Sequence, residues 1–323
     1  MVNTALAGTP APITLTVAPL AYWWPRTSVM DFYADVADGP AQTVVLGEVT
    51  CSRRNEWSLD DWLALARDLR SAGKQVRLST LPLLMDEPEQ RAMRRLVEQD
   101  EFEVEAGDAS AVAALAMACD LAPQRRGFHL GPHVNVYNLD ALAEWAQDGC
   151  VGWVLPAELP LSAVPAIRRG APELPVEVFA FGRLPLAFSA RCFTARHHHR
   201  RKDDCQYVCR QDPDGLLLSS QEGAAFLALN GTQVQSAALH CLLGDLNLVR
   251  QHQVQRLRLQ PCSRHFDEVI RLFDAALRQS IDASAALREL GRLSLPGSLA
   301  HGFAVARAGM AEVATAEGGE DGR

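Results

Sequence analysis

The sequence predicts an α/β fold, a TIM-barrel-like (β/α)8 single domain with a cysteine-bearing loop at its carboxyl-terminal rim. Short apolar runs recur along the chain, stretches of helical period separate them, and 323 residues suit one barrel. The candidate strands are ITLTVAP at 13–19, TVVLGEV at 43–49, QVRLST at 75–80, FEVEAG at 102–107, GFHLG at 127–131, VGWVLP at 151–156, VEVFAFG at 176–182 and QRLRLQP at 255–261. A doubly wound open sheet is the alternative.

Two segments carry clear helix signals. Ser58 precedes a run with apolar residues on one face, and Gly73 follows that run, as an N-cap and a C-terminal stop do. Ser263 precedes a run of helical spacing that begins with Phe266, after the eighth strand candidate. The expected organisation is a flexible tail at 1–12, a barrel domain at 13–307 and a second flexible tail at 308–323.

Composition and charge restrict the class of function. The formal net charge of −8 disfavours nucleic-acid binding, since phosphate neutralisation needs clustered Lys and Arg. The sequence shows neither a transmembrane run nor a leader pattern, so we expect a cytoplasmic protein. Eight cysteines in such a protein are better explained as thiols or metal ligands than as disulfides. Motifs of serine hydrolases, zincins, dinucleotide-binding enzymes and P-loop NTPases are absent.

Three cysteines lie close together after the seventh strand candidate. Twelve residues separate Cys192 from Cys205, and three separate Cys205 from Cys209. The segment is polar and follows a strand, where functional loops of α/β barrels lie. A metal centre with four ligands needs one more thiolate.

Cys51 is the best candidate for the fourth ligand, because it follows the strand TVVLGEV and should reach the same rim. Cys262 follows the eighth strand candidate. By topology alone it is therefore the rival of Cys51 for the fourth ligand position. Cys119 and Cys241 lie in apolar runs and are interpreted as core thiols, and Cys150 precedes its strand, at the opposite rim.

The centre is either an iron–sulfur cluster or a structural zinc site. Zinc sites usually pair their ligands in close knuckles at both ends, whereas here one ligand lies far upstream, which favours iron–sulfur. The loop also carries a dense cationic segment, expected to bind an anion or to dock a partner. Its members are Arg191, Arg196, Arg200, Arg201 and Lys202, and His197, His198 and His199 extend it as solvated residues rather than ligands. His129 and His133 are expected at the rim.

The motif that leads to Cys192 resembles a known family. Glu177, Phe179 and Gly182 form E-x-F-x2-G, which is similar to the signature of the collagenase-like peptidases of unknown catalytic type, peptidase family U32. In that signature, two cysteines follow the glycine. Pro185 occupies the position of the first, Cys192 matches the second, and Ala190 replaces a glycine before it.

The whole cysteine pattern resembles the member of this family that pairs with UbiU in oxygen-independent ubiquinone biosynthesis. The resemblance implies one 4Fe–4S cluster bound by Cys51, Cys192, Cys205 and Cys209, and a heterodimer with UbiU. It also implies hydroxylation of ubiquinone precursors without dioxygen, with prephenate as the oxygen source and the lipid-binding protein UbiT as an assistant. Peptidase activity is not expected, because Pro185 breaks the motif. The alternatives are a family-type peptidase and a zinc-stabilised binding module.

Overall fold

The computed structural model describes residues 12–122 and 124–313. Most of both expected tails therefore lies outside the described residues. Residues 308–313 are described, and Glu312 forms an antiparallel bridge with Ala300. No helix in the described part of the chain is long and apolar enough to cross a bilayer.

Strands and helices alternate along most of the chain. The strands are β1 (Thr14–Val17), β2 (Thr43–Leu46), β3 (Gln75–Ser79), β4 (Glu103–Ala106), β5 (Phe128–Leu130), β6 (Cys150–Val154), β7 (Val176–Gly182), β8 (Pro185–Phe188), β9 (Leu216–Ser219), β10 (Ala225–Asn230), β11 (Gln233–Ser236), β12 (Leu239–Cys241), β13 (Arg256–Leu259) and β14 (Leu299–Ala300). The helices are α1 (Arg26–Asp38), α2 (Leu59–Ser71), α3 (Glu87–Glu98), α4 (Ala109–Leu121), α5 (Leu139–Gln147), α6 (Val164–Ile167), α7 (Phe193–His197), α8 (Leu246–Gln251), α9 (Phe266–Leu277) and α10 (Ala283–Arg292).

Eight parallel strands close into a barrel. β1 to β7 pair in sequence order, and β13 pairs in parallel with both β7 and β1. This closure confirms the TIM-barrel-like fold and excludes the open sheet. Each of the eight strands falls at a run that the sequence predicted, and α2 begins after Ser58, whose side chain accepts from the backbone N–H of Asp61.

A second sheet interrupts the barrel between β7 and α8. β8, β11, β10 and β9 form a four-stranded antiparallel sheet in that order, and β12 then returns to pair antiparallel with β7. The sequence had predicted a loop in this region. Side chains of β9 alternate between half-buried and exposed, so the strand lacks the continuous apolar run that marks the barrel strands.

The barrel interior is charged where such barrels usually hold branched apolar side chains. Arg258 lies 2.7 Å from Glu105 and 2.6 Å from Glu177, and Arg77 lies 3.2 Å from Glu177. Burial raises the pKa of Glu177, but Arg258 and Arg77 outweigh it and hold the pKa below its ordinary value. The two guanidinium groups therefore keep the buried carboxylate ionised.

Candidate cofactor site and barrel mouth

Four cysteines line one cavity at the carboxyl-terminal rim of the barrel. Cys51, Cys192, Cys205 and Cys209 all line the same small cavity, which has a volume of about 20 Å³. The first three are buried, with 8–9% of their surface exposed, and Cys209 is half-buried. The structure thus brings together the four cysteines that the sequence analysis selected.

Cys51 is held by the turn that follows β2. Glu48 Oε1 accepts from the backbone N–H groups of Thr50 and Cys51 at 2.7 and 2.9 Å. The Thr50 hydroxyl donates to the carbonyl of Ala21, which follows β1, at 2.8 Å. Gly47 adopts a φ of +128°, which a residue with a side chain rarely adopts. The turn therefore fixes Cys51 at the end of the strand.

Cys192 is positioned by the antiparallel sheet. It precedes the short helix α7, and its Sγ accepts from the N–H of Ala195 at 3.4 Å. The N–H of Phe193 donates to the carbonyl of Gly231 at 2.8 Å, and the Thr194 hydroxyl accepts from the N–H of Gly231 at 3.0 Å. Because Gly231 lies in the turn between β10 and β11, the unpredicted sheet supports this ligand candidate.

Cys205 and Cys209 lie on either side of a tight turn. Gln206 and Tyr207 have φ values of 48° and 54°, in the left-handed region that residues other than glycine seldom occupy. The Tyr207 ring packs edge-on against Trp23, with centroids 4.5 Å apart. Both rings line the cavity together with the two cysteines.

A polar clamp fastens this turn to the barrel. Arg210 lies 2.7 Å from Glu56, and its guanidinium stacks over the Trp23 ring at 3.9 Å. The indole N–H of Trp23 donates to the same Glu56 carboxylate at 2.9 Å. We call Trp23, Glu56, Tyr207 and Arg210 the aromatic clamp.

The cavity is suited to an anionic sulfur-rich group. Burial raises the pKa of the Cys51 thiol to about 11, and burial also raises the pKa of Cys192, so these thiols bind protons until a metal displaces them. Arg53 and Arg54 line the cavity, and the buried Nε of each has no hydrogen-bond partner. Four thiols and two unpartnered N–H donors fit an iron–sulfur cluster, whose sulfurs accept hydrogen bonds.

A cluster and a single metal ion differ in how they space their ligands. Among residues 12–122 and 124–313, no three His, Cys, Asp or Glu side chains are arranged to hold one ion. A tetrahedral zinc site draws its sulfurs to about 2.3 Å from one centre. A cube of iron and sulfide binds its four thiolates at separate corners, farther apart from one another.

The remaining cysteines lie elsewhere. Cys262, the rival candidate, is buried and lines a different groove, between α1 and α9. Cys150 begins β6 and Cys241 ends β12, both buried. Cys119 is half-buried on α4. None of these four lines the cysteine cavity.

The cationic segment is spread over the surface. Arg191, Arg196 and Arg201 are exposed, and Arg200 is half-buried. Lys202 is the member that lines the cysteine cavity, and its ammonium lies 3.4 Å from the sulfur of Met85. The segment thus begins at the cavity and extends outward into solvent.

Two further cavities lie at the barrel mouth, and neither was predicted from the sequence. The first, here called the mouth pit, has a volume of about 40 Å³ and is lined by Glu105, Arg258 and Gln260 among others. The second, the rim groove, has a volume of about 280 Å³ and reaches Phe188. His133 was expected at the rim and lines both cavities. The sequence did contain one signal for the mouth pit, namely charged residues within otherwise apolar strand candidates.

One family profile and several curated proteins match this chain, over different lengths of the sequence. The profile of peptidase family U32 matches residues 28–292. tRNA hydroxylation protein P of Escherichia coli (strain K12) is 31% identical over 85 residues, 25% of this chain and 19% of that protein. A collagenase of Porphyromonas gingivalis (strain ATCC BAA-308 / W83) is 26% identical over 197 residues, 56% of this chain and 45% of that protein. The chain thus spans less than half the length of these curated relatives.

Solved structures align with the chain at low sequence identity. The U32 peptidase Mk0906 aligns with a TM-score of 0.41 and 11% identity, over 79% of this chain and 95% of that one. N-acetylneuraminate lyase of Proteus mirabilis aligns with a TM-score of 0.46 and 7% identity, over 86% and 81%. The fold assignment rests on the strand pairing described above.

Proposed function

Since the chain belongs to peptidase family U32, we propose that it is the iron–sulfur subunit that this family supplies for oxygen-independent hydroxylation of ubiquinone precursors, equivalent to UbiV. It acts in the cytoplasm as a heterodimer with UbiU. The observation that carries the proposal is that Cys51 and three cysteines far downstream of it line one cavity. A peptidase that uses a side-chain nucleophile has no need of four such thiols.

Cys51, Cys192, Cys205 and Cys209 are the proposed ligands of one 4Fe–4S cluster. Ligation by four thiolates leaves no open iron site, so the group supplies electron transfer when bound. The chain's own residues shape its surroundings. Arg53 and Arg54 offer buried N–H donors, which stabilise the negative charge of thiolates and sulfides, while the aromatic clamp excludes water from one side.

The relatives support a hydroxylation role. The aligned relative from Escherichia coli bears the name of a tRNA hydroxylation protein, so hydroxylation occurs within the group of similar proteins. The net charge of −8 disfavours RNA as the substrate here. We propose a ubiquinone precursor as substrate, prephenate as oxygen donor and UbiT as an assisting protein.

Two other functions have weaker support. A family-type peptidase lacks the first motif cysteine, which Pro185 replaces. A zinc-stabilised binding module usually pairs its ligands in close knuckles at both ends, whereas Cys51 lies far upstream of the other three cysteines. Both are tested by the same preparation of protein.

The function is tested by purifying the chain with co-expressed UbiU under anaerobic conditions. The complex is supplied with a ubiquinone precursor, ¹⁸O-labelled prephenate and a reductant, and the product is analysed by mass spectrometry. We expect a labelled hydroxylated ring. Parallel reactions contain tRNA or a peptide in place of the precursor. Labelled tRNA or cleaved peptide, with no ring product from the precursor, would contradict the proposal.

A further inference from the structure

Cys209 is the most exposed of the four cysteines that line the cavity. It is half-buried, whereas the other three are each only 8–9% exposed. Ligation by four thiolates leaves electron transfer as the chemistry of a bound cluster, and a group that transfers electrons needs a second redox group to exchange them with. Cys209 is therefore the ligand that such a group can approach most closely.

The surface at the cavity combines two apolar side chains with three cations. Tyr207 lines the cavity, and Met85 is 37% exposed. Lys202 also lines the cavity, and its ammonium lies 3.4 Å from the Met85 sulfur. The guanidinium carbons of Arg53 and Arg210 each lie 5.9 Å from the centroid of the Tyr207 ring. We call these five residues the cavity rim. Aromatic residues, Met and Arg are the types enriched at protein interfaces.

The cationic segment extends this surface. Between residues 191 and 204, five cations stand against two carboxylates, Asp203 and Asp204, which leaves an excess of three positive charges. Arg201 lies 3.9 Å from Asp203, but these side chains are 88% and 81% exposed, and exposed pairs at such distances interact weakly. The other four cations form no ion pair within the described part of the chain. The segment therefore keeps its positive charge available to a binding partner.

The arrangement of the segment suits a broad acidic surface rather than a small anion. Arg191, Arg196 and Arg201 are exposed, and none of them lines the cysteine cavity, the mouth pit or the rim groove. A small anion needs polar groups that converge in a concave site. Cations spread over an exposed segment instead match carboxylates spread over the surface of another protein.

The charge distribution of the whole chain would orient an acidic partner. Such a partner is repelled by most of a protein of net charge −8 and is attracted to this face. Interfaces of electron carriers are small and transient, so electrostatic attraction supplies much of their association rate. Because the cationic segment begins at the cysteine cavity, the attraction brings the partner to the side of the molecule where Cys209 lies.

We propose that the cavity rim and the cationic segment dock a small acidic protein that carries one electron at a time, and that the electron passes by way of Cys209. The reduced carrier loses one electron and the cluster gains it, and no proton or bond is transferred. The inference rests on the proposed function and deepens it, because it names the class of redox partner that serves the cofactor and the surface that receives it.

Docking is tested with a plant-type [2Fe–2S] ferredoxin, an acidic one-electron carrier, as the probe. The full chain is purified anaerobically with UbiU, and its affinity for ferredoxin is measured by biolayer interferometry. We expect Arg200→Ala/Arg201→Ala to weaken binding about tenfold at low salt, and less than about twofold at 1 M salt, where the Debye length is about 3 Å. Arg288→Ala/Arg292→Ala, at exposed positions of α10, is the charge-matched control and should bind like wild type.

Electron transfer is measured on the same proteins by stopped-flow absorption. Whichever of the two redox proteins has the lower potential is supplied in its reduced form. We expect the rate at low salt to fall about tenfold in Arg200→Ala/Arg201→Ala, because attraction to the carrier is weaker. Reduction by photoreduced deazariboflavin, an uncharged small molecule, should be equal in all three proteins, since the cluster itself is unchanged.

Equal ferredoxin affinity and equal transfer rates in wild type and Arg200→Ala/Arg201→Ala overturn the inference. So does tRNA that binds this surface more tightly than ferredoxin, or loss of UbiU from the double variant, because the surface would then serve a nucleic acid or the heterodimer. Iron and sulfide are measured on the same samples. Protein that has a cluster but shows none of the expected differences refutes this inference alone. Iron-free protein that binds ferredoxin through the segment refutes the proposed cofactor and, with it, the electron step.

Discussion

Glu177 connects most of the charged groups inside the barrel. Its carboxylate accepts from the Thr16 hydroxyl at 3.1 Å, from Arg77 at 3.2 Å and from Arg258 at 2.6 Å. Every one of these side chains is buried. Glu177 is the first residue of the E-x-F-x2-G motif. Its contacts give a structural explanation for the glutamate of that motif, because a buried guanidinium needs a paired carboxylate.

Replacement of this carboxylate should be strongly destabilising. Glu177→Gln leaves two buried guanidinium groups with less negative charge to compensate them, and we expect unfolding free energy to fall by about 3–5 kcal/mol. Urea denaturation measures the change. Glu289→Gln, on the exposed face of α10, should change it by less than about 0.5 kcal/mol. Equal small effects in both variants would show that the network contributes no stability.

The same group predicts how stability depends on pH. Because the folded pKa of Glu177 lies below its ordinary value of 4.5, the ionised form stabilises the fold above that pH, and the contribution is lost as pH falls towards the folded pKa. Unfolding free energy should therefore drop between pH 5 and pH 3 more steeply in wild type than in Glu177→Gln. Identical pH profiles would contradict this reasoning.

The turn that bears Cys205 and Cys209 depends on the aromatic clamp. The backbone is left-handed at Tyr207, and the turn lies outside the β-strands. Arg210 therefore provides much of its attachment, through Glu56 and the Trp23 ring. These contacts lie at the surface and contribute modestly each, as exposed ion pairs and cation–π pairs do.

Loss of the clamp should expose the cofactor. In Arg210→Ala we expect iron to be lost in air roughly two- to fivefold faster, because the turn opens more often. The loss is followed by visible absorption after exposure to air. Arg278→Ala removes a comparable exposed pair with Asp274, far from the turn, and should leave the rate unchanged. Equal rates in the two variants would remove the clamp from this role.

Elements differed in how readily the sequence predicted them. The barrel strands were predicted because both faces of a parallel strand are covered, which produces continuous apolar runs such as β7. The four-stranded sheet was missed because its strands are not buried throughout, as the alternation in β9 shows, and so they lack such runs. The aromatic clamp and the mouth pit depend on contacts between residues distant in sequence, which no local pattern records.

At the scale of the whole molecule, the barrel brings distant cysteines to one rim. β2 and β7 are parallel strands of one closed sheet, so segments that follow them emerge at the same end. This is why Cys51 was predictable from its position alone. The contributions of Arg53 and Arg54 were not, because an unpartnered buried N–H is a property of the packed structure.

The cationic segment should act on substrate or partner binding rather than on the cofactor. Arg200 and Arg201 lie outside the lining of the cysteine cavity, in a protein of net charge −8. Arg200→Ala/Arg201→Ala should lower hydroxylation by about tenfold at low salt through weaker electrostatic attraction, with iron content unchanged. Arg288→Ala/Arg292→Ala on α10 is the charge-matched control. Unchanged hydroxylation in the first double variant would exclude the segment from the mechanism.

The most direct measurement is iron and acid-labile sulfide per chain in anaerobically purified wild type and single cysteine-to-alanine variants. We expect about four of each in wild type, as one 4Fe–4S cluster requires. We expect severe loss in Cys51→Ala, Cys192→Ala, Cys205→Ala and Cys209→Ala, and wild-type content in Cys262→Ala and Cys241→Ala. Full iron content in Cys51→Ala, or stoichiometric zinc without iron in wild type, would contradict it.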